Sequence, residues 1–148
     1  MCIRDSVSFH SSNDLKNKIL ENINYTNAIF MTAAVSDFTV KKSSGKISRS
    51  NGNIILEFIP NEDIIASIKT SYSEIKCIAF SAQVDDELNF NKINTKNVDY
   101  LVINNILKNK FGSDTNKVSL IDKQHLIFES EELDKNEISR DILNALEY

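Results

Sequence analysis

Glycine is scarce: the 148 residues contain only three, Gly45, Gly52 and Gly112. No two of them stand at the spacing of a dinucleotide fingerprint or a phosphate loop, so no glycine-rich phosphate cradle is readable. Histidine is sparser still. His10 and His125 lie far apart, without cysteine or acid companions at metal-ligand spacing, and read as surface or packing residues. Two cysteines, Cys2 and Cys77, are too few for a disulfide framework. Cys77 sits in an apolar, strand-like run and reads as a core residue, while Cys2 falls in a terminus expected to be loose. No serine occupies a recognisable nucleophile turn with histidine and acid partners.

Long apolar runs are missing too. "AIFMTAAV" and "YLVINNIL" fall far short of the roughly 20 residues that span a membrane, and the first residues lack a signal peptide's apolar core. A cytoplasmic protein is the expectation. Nor is charge of one sign concentrated anywhere: 17 basic and 21 acidic residues are interspersed, for a net charge of -4. That balance argues against nucleic acid as a partner. A hydrophobic fraction of 41% and a charged fraction of 26% are ordinary for a globular chain of 148 residues, enough for one domain.

What is present alternates between strand-like and helix-like pieces. Residues 1–6, "MCIRDS", show no periodicity and are set aside as a tail before a domain at 7–148. "VSF" reads as the end of a strand. "SSND" has the capping-box form, with Ser11 as N-cap and Asp14 three positions on; Leu15, Ile19 and Ile23 then recur at helical spacing, predicting a helix over 12–23. "AIFMTAAV" is short and apolar on both faces, as befits a strand covered by helices on both sides. The extended runs around Asn51-Gly52 read as a hairpin projecting from the main sheet. Asn61 is the expected N-cap of the next helix, with Glu62 and Asp63 complementing its positive end. "KCIAFSA" and "DYLVINNI" are further buried strands, separated by a helix over 86–95. "KVSLID" and "HLIFES" form a hairpin around Asp122-Lys123. A last helix starts near Asp134, with Ile138, Ile142, Ala145 and Leu146 on its apolar face.

This succession predicts an α/β fold with a mainly parallel sheet and antiparallel hairpins added. Ligands of such sheets lie outside the carboxyl ends of the strands. Ala33, Ala34 and Asp37 therefore share a rim with the strand ends "FSAQ" and "INN", a place for a small molecule.

The ordered pieces "AAVSDF", "KIS" then "LEFIPNEDII", "AFSAQ", "KINTKNVDYLVIN", "FGSDTNKV" and "DKNEIS" resemble the phosphopantothenoylcysteine synthetase family, the ligase domain of the bifunctional coenzyme A biosynthesis protein. The resemblance runs from about Val7 to Leu146. It implies a Rossmann-like domain that pairs into a homodimer through the hairpin carrying Lys46 and Arg49. Family members have a glycine-rich opening before the first helix seen here, so this chain is expected to match only the carboxyl-terminal part of the domain. The implied chemistry is carboxylate activation. The carboxylate of 4'-phosphopantothenate attacks the α-phosphate of CTP, releasing pyrophosphate, and the amine of cysteine displaces CMP from the acyl-cytidylate. Fixed lysines and a magnesium ion would stabilise the charge gathered on the phosphates.

Site residues follow by the same resemblance. Lys92 and Lys96 match a family segment Lys-x-x-x-Lys-x-x-Asp ending at Asp99, and are the candidates for phosphate contacts and acyl transfer. At i and i+4 they read equally as solvated lysines of a helix. Phe80, Ser81 and Ala82 match a strand end, usually Phe-Ala-Ala-Glu, where main-chain groups read the cytosine; tight packing is the alternative. Gln83 departs from that glutamate. Phe111 matches an aromatic near the base, Asn116 shares its loop, and Lys135 matches a lysine reaching the triphosphate; a satellite-core contact and a helix surface are the plainer readings. Ala33 and Ala34 admit substrate to the backbone, and Asp37 holds magnesium or orders the loop. Asn61 and Asp63 resemble the family's Asn-Pro-Asp-Ile, with capping as their expected role. The rival reading is a non-catalytic dimerisation or nucleotide-binding fragment. A nicotinamide-dependent oxidoreductase is disfavoured by the absent fingerprint. CTP against ATP, and fusion to a phosphopantothenoylcysteine decarboxylase, stay open.

Overall fold

The computed structural model describes residues 5–41, 45, 52–85, 87–108 and 112–148. Capping chemistry sets where its helices begin. Ser11 is extended and its hydroxyl accepts from the Asp14 N–H at 3.2 Å, while Asp14 accepts from the His10 N–H at 2.9 Å. Helix α1 accordingly runs Ser12–Asn22, continued by a 3-10 turn at Ile23–Tyr25. Leu15 and Ile19 pack on the core and Ile23 is buried, as the helical spacing predicts. Val7–Phe9 belong to no strand, in contrast to the reading of "VSF".

Strand β1 (Ala28–Met31) is shorter than "AIFMTAAV" predicts. Beyond Met31 the backbone turns on itself, with Thr32 N–H bonded to Phe30 O and Val35 N–H to Ala33 O, so Ala33 and Ala34 stand in a loop. Strands β2 (Phe38–Val40) and β3 (Phe58–Pro60) pair antiparallel as a separate two-stranded arm. Asn51, Lys46 and Arg49 lie outside the described residues.

Helix α2 (Ile64–Ser71) is capped by Asp63, whose carboxylate accepts from the Ala66 N–H at 3.2 Å, and not by Asn61. Asn61 is committed elsewhere. Its N–H bonds Asp37 O at 2.7 Å, and its side-chain amide donates to Ser36 O at 3.0 Å and Ser12 Oγ at 3.3 Å. Strand β4 (Lys76–Gln83) leads to α3 (Phe90–Lys96), which starts four residues later than 86 because Asn89 is its cap and Asp85 holds the Glu87 N–H in a turn. Asn97 ends α3 in the left-handed conformation, φ 48°.

Strand β5 (Tyr100–Asn105) follows, then β6 (Thr115–Asn116), the hairpin β7 (Val118–Ile121) and β8 (Leu126–Glu129), β9 (Leu133–Asp134), and α4 (Lys135–Ala145). Asp134 caps α4 by accepting from Asn136 and Glu137 N–H groups. The five-stranded sheet has the order β1-β4-β5-β7-β8, parallel from β1 through β5 and antiparallel from β5 to β8. This is the α/β, Rossmann-like arrangement with hairpin additions read from the sequence.

Alternation along the strands feeds two cores. Cys77, Ala79, Leu101 and Ile103 face α1, α2 and α3, where Ile68 and Ile93 are fully buried. Ile78, Val102 and Leu120 face Ile138, Ile142 and Leu146 of α4. Each fully buried isoleucine contributes roughly 1.5–3 kcal/mol. Burial also pushes the Cys77 thiol up to about 11, consistent with its core role.

Candidate functional site

The parallel strands end on one edge of the sheet, β1 at Met31, β4 at Gln83 and β5 at Asn105. A cavity of about 200 Å³ opens there. It is walled by the loop after β1, the start of α2 and the last turn of α3. Five of the residues singled out in the sequence line it: Ala33, Ala34, Asp37, Phe80 and Lys96. Asn61 and Asp63 line it as well, so residues expected only to cap a helix also build the wall. Through its three bonds, Asn61 fixes the loop that presents Ala33, Ala34 and Asp37. Its sequence signal, an asparagine just before a helix, is indistinguishable from a cap.

Lys92 and Ser81 do not line this cavity; Ser81 follows the lining residue Phe80 along β4, and Lys92 lies one helical turn before the lining Lys96. From the first turn of α3 the Lys92 ammonium reaches back over the end of β4 to donate to Ser81 Oγ at 2.6 Å, and Ser81 is buried. Lys96 instead pairs with Asp63 at 3.1 Å. Lys16 pairs with Glu62 at 2.6 Å, and hydrogen bonds from Lys16 and then Ser67 hold the Glu62 carboxyl below its ordinary range. Lys92 therefore differs from its neighbours: among the described residues no carboxylate pairs with it. The amino end of α2 opens into the same cavity and adds partial positive charge.

Of the remaining nucleotide-binding candidates, Ala82 is exposed at the end of β4, opposite Asn104. Phe80 is half-buried and also packs on the core beneath α4. Lys135 is the first residue of α4, exposed, its N–H bonded to Asp114 O, and it lines neither this cavity nor the next. Phe111 lies outside the described residues. A second cavity of about 380 Å³ opens between the ends of β5, β7 and β8, lined by Asp85, Asn105, Lys108, Lys117, Ser119 and Glu129 among others. Within it Lys117 and Glu129 pair at 2.6 Å. Only the strand end "INN" marked this region in the sequence. Asn105 there is buried and accepts from the Leu107 and Lys108 N–H groups, terminating β5.

For magnesium, the test is the donor set. Among the described residues no group of three or more histidine, cysteine, aspartate or glutamate side chains converges. Asp63 and Glu62 are occupied by lysines, and Asp37 is the cavity carboxylate with no side-chain partner among the described residues. Magnesium commonly takes one or two carboxylates together with substrate phosphates. Asp37 fits that mode, and an all-protein cage does not.

The fold and this edge define the class: an α/β domain with a crevice at the carboxyl ends of parallel strands. The chain belongs to the family described as the DNA/pantothenate metabolism flavoprotein C-terminal domain, whose model matches residues 4–148. That family bears out the resemblance read from the sequence. Among curated relatives, a cysteine/cysteine sulfinic acid decarboxylase from an unknown prokaryotic organism is 31% identical over 147 residues, covering 95% of this chain and 41% of the relative. The coenzyme A biosynthesis bifunctional protein CoaBC of Bacillus subtilis (strain 168) is 27% identical over 149 residues, covering 97% and 37%. The chain thus spans about two fifths of these relatives. The crystal structure of the C-terminal domain of CoaBC superimposes with a TM-score of 0.71 at 24% identity, covering 95% of this chain and 65% of that one, and bears out the fold. No helix among the described residues is long and apolar enough to cross a membrane.

Proposed function

We propose that this domain is a phosphopantothenate-cysteine ligase of coenzyme A biosynthesis, working in the cytoplasm with CTP as co-substrate and magnesium. The observation that supports it most is the convergence of Ala33, Ala34, Asp37, Phe80 and Lys96 on one cavity, with Lys92 one helical turn before Lys96 and bonded to Ser81 at the end of β4, in a chain of this family. Small side chains at 33 and 34 let a substrate approach the backbone. Main-chain groups of Phe80, Ser81 and Ala82 are offered to the base. Lys92 meets a phosphate without first giving up a carboxylate, whereas Lys96 must part from Asp63. Asp37 would hold magnesium, which when bound spreads negative charge from the phosphates. Phe111 and Lys135 are assigned to base and triphosphate by resemblance. In the first step the pantothenate carboxylate displaces pyrophosphate from CTP; in the second the cysteine amine displaces CMP. The exposed apolar residues of the β2–β3 arm, Phe38 and Phe58 among them, fit a homodimer contact. The bifunctional relatives make a fused or partner decarboxylase part of the same proposal.

The test is pyrophosphate release from CTP with 4'-phosphopantothenate, cysteine and magnesium. Replacing Lys92 by alanine should cost about 100-fold in kcat, the scale of losing one charge-stabilising donor, and Lys96→Ala less. Undiminished turnover in both variants would remove the assignment. A chain that pairs but shows neither turnover nor a CTP-dependent rise in Tm fits the dimerisation reading instead.

A further inference from the structure

Along β4 one face runs Cys77, Ala79, Ser81, Gln83, all turned towards α3. The first two are apolar core; the last two are polar, and both reach into the segment that follows. Ser81, 4% exposed, accepts the Lys92 ammonium at 2.6 Å. The Gln83 amide donates to Glu87 O at 2.8 Å. Between them they tie the backbone at Glu87 and the first turn of α3 back onto the strand end.

The bond to Ser81 matters because of what Lys92 lacks. A half-buried ammonium without a carboxylate partner carries an uncompensated desolvation cost, and a lysine side chain free to choose its rotamer would carry its charge into bulk water. A single hydroxyl acceptor holds it near the end of β4 while leaving the charge unneutralised. Two of the three ammonium donors stay available to an anion. A carboxylate at position 81 would cancel the charge, and an alanine would release it.

We infer that Ser81 is a positioning residue, whose hydroxyl holds the Lys92 ammonium at the strand edge and keeps its charge available for a phosphate of the co-substrate. The inference rests on the ligase reading for the identity of that phosphate, and on geometry alone for the Ser81–Lys92 contact. Gln83 supports it by donating to Glu87 O, a bond that requires an amide donor and that a glutamate could not make.

The test has two arms on the full chain. In the first, amine acylation with acetic anhydride is followed residue by residue by mass spectrometry. The bond holds the ammonium in a part-buried seat away from the reagent, so Ser81→Ala, which frees the side chain to swing into solvent, should raise the Lys92 acylation rate several-fold. Ser81→Thr should restore the slow rate, and Lys96, held by Asp63, serves as internal reference. Tm, measured alongside, should stay within a few degrees. An unchanged Lys92 rate in folded Ser81→Ala overturns the inference. In the second arm, turnover with CTP, 4'-phosphopantothenate and cysteine should fall about tenfold in kcat for Ser81→Ala, with less change in KM for cysteine, and recover in Ser81→Thr. Unchanged kcat in an active Ser81→Ala overturns the catalytic half. An acylation response in a wild-type chain without turnover leaves the positioning intact and sinks the ligase reading.

Discussion

Two lysines one helical turn apart are held by different chemistry, and their behaviour should separate. Asp63 serves two purposes, accepting from the Ala66 N–H as the cap of α2 and pairing with Lys96. Asparagine can take over the first but not the second. Asp63→Asn should therefore unfold within about 0.5 kcal/mol of the wild type and tighten CTP, because Lys96 is released; Asp63→Ala should lose about 1 kcal/mol for the missing cap as well. Thermal unfolding with CTP titration by calorimetry checks both, and equal CTP affinity in all three chains would show that Lys96 plays no part in binding. Cys77 offers a second check at this scale. With its thiol pushed up to about 11 by burial and no exposed surface, it should resist iodoacetamide at pH 8 in the native chain and react after denaturation, as read by mass spectrometry.

Elements announced themselves in the sequence where one local rule settled them. The Ser11/Asp14 pair fixed the start of α1, the run around Ile138, Ile142 and Leu146 fixed α4, and turn residues at Asp122 fixed the last hairpin. Boundaries moved where two local options competed. Asn61 and Asp63 both suit an N-cap, and long-range bonds from Asn61 to Ser36 and Ser12 decided for Asp63. The rim at Ala33, Ala34 and Asp37 was legible from the rule that ligands lie beyond the carboxyl ends of parallel strands, whereas the roles given to Lys92 and Lys96 came only through resemblance, since two lysines at i and i+4 look like any helix surface. The Lys92–Ser81 bond, between residues 11 apart, had no sequence signal. Caps also predict acid behaviour. Backbone N–H groups of Gln124 and His125 hold Asp122 below its ordinary 3.8, and those of Glu137 and Asn136 do the same for Asp134. A depressed folded value means the unfolded chain binds more protons, so this stabilisation is complete above the unfolded value and is lost as pH falls through the folded one. Resistance to urea should fall below about pH 3.8, and the double variant Asp122→Asn/Asp134→Asn should lose less on acidification than the wild type. Equal acid slopes would show that these caps are not the source.

At the scale of the molecule, one sheet separates two cores and one arm stands apart from both. The arm exposes Phe38 at 56% and Phe58 at 62%, apolar surface that a lone chain gains nothing by displaying. Sedimentation should find a dimer in the micromolar range, and Phe58→Asp should shift it to monomer with little change in Tm; a wild-type monomer at all concentrations would refute the arm's assignment. At the far end from the cavity, Lys69 ties the close of α2 to Ser73 O, Ile75 O and Asp99, and the Asp99 carboxylate accepts the Cys77 N–H at 2.8 Å. Through Asp99, one backbone proton thus links a helix end to the start of β4 and to the residue before β5. Its deuterium exchange is a built-in gauge: a ligand at the strand edge that slows exchange there acts on the whole fold, and one that slows only the amides of 33–37 acts on the loop alone.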